Sequence, residues 1–337
     1  MVKYGLLIGI NYTGTAYQLN GCINDVNNMK LFLASSKLGY TNFVMLTDDT
    51  PVKPTRANIL NQINNLVGKL KSGDQAWVHF SGHGALVRDH NNDEESGYDC
   101  CFAPIDYNIV GFISDDTIRS NLVQRVPRGA KVYIVLDTCH SGTGSDLRFK
   151  YDDSSYLINP NPEVKPSTYV PSEWLLRQTS YEFKKYPRTA GEVYSISGCQ
   201  DHQQSGDTFI ESDKMYGGVL TSTMLSVLRS NDLNVYKWKH LLKDICCSER
   251  ANGYAQITAL TSGNPVNMEN PVFTFPVKNP VFTFPVFTFP VKNPVTTNLV
   301  KPLNKKYIPM SYQKNVQKNV QKNVHKNKNI MKKMLFM

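Results

Sequence analysis

The sequence predicts an α/β fold built on a mostly parallel central sheet. Up to about residue 262, short apolar runs rich in Val, Ile and Leu alternate with segments whose apolar residues recur at helical spacing, the pattern of strands joined by crossover helices. Those runs are apolar along their length, as strands covered on both faces are. The chain, at 337 residues, is long enough to bury a large core, and its 41% hydrophobic and 19% charged composition excludes wholesale disorder.

In chain order, residues 4–10 give the first strand, and residues 24–35 a helix with Val26, Met29 and Leu33 on one face. A strand at 43–46 precedes a helix at 55–70, whose stripe is Ile59, Ile63, Leu66 and Leu70 and whose start is marked by Pro54. Strands follow at 75–80, 131–136 and 192–196, each bounded by Gly, Asp or Ser, with a short helix at 117–123 between the first two. Helices fit 217–228 and 235–247, and residues 255–260 suit a closing edge strand. From about 148 to 190 the composition shifts to Asp, Ser, Pro, Asn and Tyr, with four prolines between 160 and 171, which predicts a long, flexible surface connection.

After residue 263 the character changes. NPVFTFPVK occupies 270–278, restarts at 279–285 and resumes as VFTFPVK to Lys292, and QKNV occurs three times over 313–324. Prolines every five to nine residues oppose helix and central strand, so residues 266–337 read as a disordered tail, with a docked segment whose phenylalanines find a groove as the alternative. Residues 301–337 also hold ten lysines and no acid, leaving 27 basic against 28 acidic side chains in the rest. The sequence pI near 9.0 thus belongs to the tail, and a nucleic-acid-binding folded face loses its support. Tethering of the tail to nucleic acid or an acidic membrane stays open as a weaker reading.

Seven cysteines (22, 100, 101, 139, 199, 246, 247) form an odd count, include two adjacent pairs and show no CxxC spacing. No apolar run approaches the roughly 20 residues that cross a bilayer, and no leader is evident. A reducing, cytoplasmic setting is expected.

Two strand ends carry the chemistry. Residues 75–80 run into Ser81-Gly82-His83-Gly84, and residues 131–136 into Asp137-Thr138-Cys139-His140-Ser141-Gly142. The carboxyl ends of parallel strands are where ligands bind, and glycines there let backbone amides approach a reacting atom. A thiol near its ordinary pKa of ~8.5 is mostly protonated at neutral pH, and an imidazole beside it can take that proton, so His83 and Cys139 suit acyl transfer. Alone, Cys139 would pass for a small core residue and His83 for a hydrogen-bonded structural histidine.

SGHG at 81–84 and DTCHSG at 137–142 resemble the paired signatures of metacaspases, the caspase-like cysteine peptidases. The resemblance spans residues 4 to about 262, with GINY at 9–12, LNGCINDV at 19–26, GYDCCFAPID at 97–106, SDD at 114–116 and SGCQDHQQSGD at 197–207. It implies a caspase-like α/β/α sandwich over a peptidase domain of residues 1–265, an endopeptidase with His83 and Cys139 as catalytic dyad, and oxyanion donors at the amides of Gly84 and Cys139. It further implies a pocket for a basic side chain at Cys22, Asp25, Ser81 and Asp137, hence cleavage of proteins after Arg or Lys. An activating Ca2+ would fall on Asp99, Asp115, Asp116 and Asp146. On the residues alone, Asp25 is equally a first-turn helix acid, Asp115 and Asp116 equally caps of the next helix, and the acidic run Asp93, Glu94, Glu95 a solvated one. QACxG is absent around Cys139, which disfavours true caspases. The first strand starts at Tyr4, so the chain resembles a type I catalytic unit without its N-terminal prodomain, and its repetitive tail is foreign to the family pattern. A monomer is expected, with self-cleavage at Arg148, Lys150, Lys184, Lys185 or Arg188; a non-catalytic scaffold is the rival reading.

Overall fold

The computed structural model describes residues 1–89, 91, 97–139, 141, 144–152, 179–199, 206–210 and 214–275. The chain runs from β1 (Lys3–Gly9) through α1 (Cys22–Leu33) to β2 (Asn42–Thr47), and through α2 (Arg56–Lys69) to β3 (Gln75–Ser81). Next come β4 (Gly84–Arg88), β5 (Tyr98–Phe102), the single turn α3 (Tyr107–Val110), β6 (Ile113–Ser114) and α4 (Asp115–Asn121). Then follow β7 (Lys131–Asp137), β8 (Phe149–Asp152), β9 (Thr179–Glu182), β10 (Glu192–Ser197), β11 (Asp207–Ile210), β12 (Met215–Gly218), α5 (Val219–Arg229), α6 (Trp238–Ala251) and β13 (Ala259–Ser262).

Eight strands form the central sheet in the order β2-β1-β3-β7-β10-β13-β8-β9. The first five are mutually parallel, and the last three join by antiparallel pairs. Because side chains alternate across a strand, β1 sends Leu6 and Ile8 to one face and Leu7 to the other. One face buries Leu6, Ile8, Val78, Phe80 and Ile134 under Ile59 and Ile63 of α2 and Ile118 of α4. The other buries Leu7, Trp77, Tyr133 and Val135 under Met29 of α1, Met224 of α5 and Ile245 of α6. At ~1.5–3 kcal/mol for each large side chain removed from water, these two layers drive the fold. Thr55 starts α2 by accepting the Asn58 amide, one residue after the Pro54 signal.

Three expectations change. The closing strand is β13, which lies between β10 and β8 instead of at an edge, because β8 and β9 pair beyond it. The connection expected over 148–190 therefore has strands at both ends: Arg148 is tied to Glu182 at 2.8 Å and β8 pairs with β9. Only 153–178 of it lies outside the described residues. The third change concerns the boundary at 265, since the first compact unit runs from Met1 to Val277. Val272 and Phe273 are buried in the core, the Trp238 amide donates to the Asn270 carbonyl at 3.1 Å, and the Val272 amide donates to the Tyr236 carbonyl at 2.8 Å. Proline opposes a continuous ladder but not a docked extended segment, whose bonds here come from the residues flanking Pro271. Residues 276–337, with the other repeat copies and the lysine run, lie outside the described residues. No described helix is long and apolar enough to cross a membrane.

Candidate active site

β3 and β7 are adjacent and in register Ser81↔Asp137, so the loops that follow them start side by side at one edge of the sheet. The Gly82 amide donates to the Asp137 carbonyl at 3.3 Å. Gly84 packs so closely on the loop after β7 that a Cβ there would collide with the Cys139 carbonyl oxygen and the Thr138 hydroxyl, so this approach requires glycine. His83 and Cys139 thereby sit on facing loops. Cys139 is partly exposed, whereas Cys22, Cys100, Cys101, Cys199 and Cys246 are buried.

The histidine is held by groups without a motif signal of their own. Its backbone amide donates to the Tyr12 hydroxyl at 2.9 Å, and that hydroxyl donates to the Ala103 carbonyl at 2.7 Å. The two rings lie 4.6 Å apart. Tyr12 is buried with φ 52°, a left-handed conformation that costs a bulky residue about 1–3 kcal/mol and that its surroundings enforce. His83 Nε2 lies 2.6 Å from the Tyr17 carbonyl oxygen. A carbonyl only accepts, so this contact assigns the proton to Nε2 and leaves Nδ1 as the basic nitrogen.

Beside the dyad, the four predicted pocket residues do come together. Ser81 Oγ donates to Asp25 Oδ2 at 2.7 Å, and the Gly218 amide donates to Asp25 Oδ1 at 2.9 Å. The Thr221 amide donates to Asp137 Oδ2 at 2.7 Å. Both carboxylates thus face the N-terminus of α5, where unsatisfied amides and the helix dipole favour negative charge. Gly218 lies between them: a Cβ there would be 2.9 Å from Asp25 Oδ2 and closer still to Asp137 Oδ2. Burial, then the charge of Asp137, holds the Asp25 carboxyl well above its ordinary range, and burial, then Asp25, does the same to the Cys22 thiol. A buried thiol held protonated in this way is a poor nucleophile.

Around this pocket lie groups that the sequence reading passed over. The Asn20 amide donates to Asp207 Oδ2 at 2.8 Å, and burial raises that carboxyl. Beneath it, the Thr221 hydroxyl meets His79 Nε2 at 3.1 Å; full burial depresses His79 to about 3 and keeps it neutral. Glu249 of α6 accepts from Gln256 at 2.8 Å and Thr258 at 2.9 Å, and burial pushes it up to about 8. Asp207 stands in SGCQDHQQSGD and could have been found there; Tyr17 acts through its main chain, for which no residue type codes.

The four acids expected to bind calcium are divided. Asp115 accepts from the amides of Cys100 at 2.8 Å and Asp116 at 3.0 Å, and Asp116 accepts from Asn91 at 2.6 Å. Burial, together with the charges of Asp115, Asp99 and Asp116, pushes the Cys101 thiol up to about 12. Asp146 instead accepts from the Tyr186 hydroxyl at 2.8 Å, and its carbonyl accepts from Arg119, whose guanidinium lies 4.5 Å over the Tyr186 ring. The donor chemistry suits a hard cation, though among the described residues no group of three or more His, Cys, Asp or Glu is positioned to hold a metal ion. Asp93, Glu94 and Glu95 lie outside the described residues.

Residues 3–148, which include His83 and Cys139, match the family model described as the metacaspase, peptidase C14 domain. Metacaspase-1 of Lodderomyces elongisporus is 33% identical over 299 residues, 79% of this chain and 66% of that protein. Metacaspase-1B of Aspergillus oryzae is 34% identical over 293 residues, 79% of this chain and 68% of that protein. The chain thus spans about two thirds of the length of these relatives. A crystal structure of a Geobacter sulfurreducens protein shares the fold at a TM-score of 0.55 and 22% identity, covering 81% of this chain and 99% of that one.

Proposed function

Since the chain belongs to the metacaspase family of cysteine-type endopeptidases, we propose that it hydrolyses protein substrates after Arg or Lys. The carrying observation is the pair Asp25 and Asp137, buried on either side of Gly218, with Asp137 two residues before Cys139 in the sequence. Two carboxylates in a desolvated pocket attract a cationic side chain, and a guanidinium can pair bidentately with one of them.

In this mechanism the Cys139 thiol passes its proton to His83 Nδ1, and the thiolate sulfur forms a bond to the scissile carbonyl carbon. The carbonyl oxygen takes up the negative charge, stabilised by the amides of Gly84 and Cys139; one such donor contributes about 2.7–4 kcal/mol in other enzymes. Collapse of this adduct breaks the C–N bond as His83 returns the proton to the leaving amine. Water, deprotonated by the same imidazole, then attacks the thioester and restores the thiol. The Tyr17 carbonyl keeps Nδ1 directed to this work by fixing Nε2–H.

The test compares fluorogenic peptides ending in Arg, Lys or Asp, with the native chain and with Cys139→Ala. Turnover of the first two by the native chain alone is expected. Preference for Asp would overturn the pocket, and equal turnover by Cys139→Ala would overturn the dyad.

Calcium activation is part of the proposal on donor chemistry. Asp99, Asp115, Asp116 and Asp146 would hold the ion, whose charge would offset their mutual repulsion once Asp146 exchanged its Tyr186 bond. Activity of the chelated enzyme should rise with added calcium, and full activity in excess chelator would remove this element. Self-processing is proposed after Lys184, Lys185 or Arg188, which are exposed, in preference to Arg148 and Lys150, which are ion-paired at β8. New termini identified by mass spectrometry would decide between them.

A further inference from the structure

The end of the sheet remote from the dyad holds a peptide that the chain itself supplies. Phe273 stacks on Trp77 of β3 at 6.4 Å between ring centroids and tilts against Tyr133 of β7 at 5.8 Å. Tyr133 stacks in turn on Trp238 of α6 at 6.3 Å. The Tyr133 hydroxyl donates to the Val272 carbonyl at 2.8 Å, and main-chain bonds to Tyr236 and Trp238 fix the segment on either side of Pro271. This groove reads a short text: two buried apolar side chains, Val272 and Phe273, between main-chain contacts that any residue could make.

That text is written more than once. Pro-Val-Phe-Thr-Phe-Pro occupies 271–276, recurs at 280–285 and again at 285–290, and the second copy is preceded by Asn279 as the first is by Asn270. Every contact made by residues 270–275 can therefore be made by 279–284 without changing an atom.

We propose that the groove is a receptor for the PVFTFP sequence, and that the copy at 280–285 of the same chain takes it over when the first copy is displaced. Exchange repeats the side chains of residues 270–275 and lengthens the loop after Glu269 by nine residues, and closure entropy grows with the logarithm of loop length. The first copy accordingly holds the groove in the native chain, and the second stands in reserve. Trp77 and Tyr133 lie four residues before Ser81 and Asp137 along their strands, roughly 13 Å at ~3.3 Å per residue. Occupancy should therefore leave small-peptide turnover unchanged.

The test uses the full chain with Phe273→Ala, with Phe282→Ala and Phe287→Ala together, and with all three. The triple variant should lose about 10 °C in Tm, as for a buried Phe truncated to Ala in a domain of this size. Phe273→Ala alone should lose less than half of that, and the pair nothing. In Phe273→Ala, the Val281 amide should become protected from hydrogen exchange as it replaces that of Val272 against the Tyr236 carbonyl. A Tm loss in Phe273→Ala equal to that of the triple variant, unchanged exchange at Val281, or a concentration-dependent dimer of Phe273→Ala would each overturn exchange within the chain. Should Ala variants fail to fold, the same comparison is made with Leu at the three positions.

Discussion

β3 and β7 do opposite things at their two ends. Where they begin, Trp77 and Tyr133 stack in an aromatic groove. Where they finish, Ser81 and Asp137 open into buried carboxylates, close-packed glycines and a left-handed tyrosine. The first end removes apolar surface from water and so stabilises; the second buries negative charge and strains backbone, and so destabilises. Rigid strands seven residues long let the one support the other.

That division can be broken by experiment. The largest effect is expected at the chemical end: Cys139→Ala should lower turnover by at least about 10⁴-fold while Tm stays within a degree or two, since a small, partly exposed thiol is removed. A large fall in Tm would mean that the nucleophile also holds the fold. At the other end, Trp77→Ala should destabilise by about 3–5 kcal/mol in urea unfolding, with kcat/KM unchanged below the transition. Altered kcat/KM would show that the two ends are coupled through β3. Smaller is Asp25→Asn: kcat/KM for Arg peptides should drop about 100-fold, yet Tm should hold or rise, because a buried carboxyl at raised pKa is replaced by a neutral group. Equal losses in both would make Asp25 a structural residue.

The smallest effect sharpens the contrast through pH. Glu249, raised to about 8, binds a proton in the folded state at pH values where the unfolded chain has released it. Stability from this group is therefore fully present below about 4.5 and is lost as pH rises toward 8. His79, depressed to about 3, acts in the opposite sense, and only as pH falls below about 6.5. Between pH 6.5 and 8, Tm of the native chain should thus decline by a few degrees, and Glu249→Gln should flatten the decline. An unchanged slope in that variant would assign the decline to Asp25 and its neighbours.

What was legible in the sequence follows the same contrast. The five parallel strands were readable because burial on both faces leaves an apolar run, and the ends of two of them, adjacent in the sheet, carry the loops of His83 and Cys139 that their flanking glycines marked. β8 and β9 were not, since FKYD and TSYE carry too few apolar residues to mark a strand and owe their form to pairing with β13 and each other. Tyr12 was inside a quoted motif, but its bond to the His83 amide depends on a fold that brings residues 71 apart together. Phe273 misled in the opposite direction: its prolines argued against order, whereas aromatic packing in the groove overrode them.

The position of β8 and β9 has a consequence for the cuts proposed after Lys184, Lys185 or Arg188. The piece before such a cut owns β1, β2, β3, β7, β8 and β9, and the piece after it owns β10 and β13. In the sheet they are shuffled like cards: β10 and β13 lie between β7 and β8. Two separate ladders, β7 with β10 and β13 with β8, would tie the halves together after the peptide bond is gone. A nicked molecule would run as two bands in denaturing gels and as one particle in native buffer, with Cys139 on one half and the α5 terminus that completes its pocket on the other.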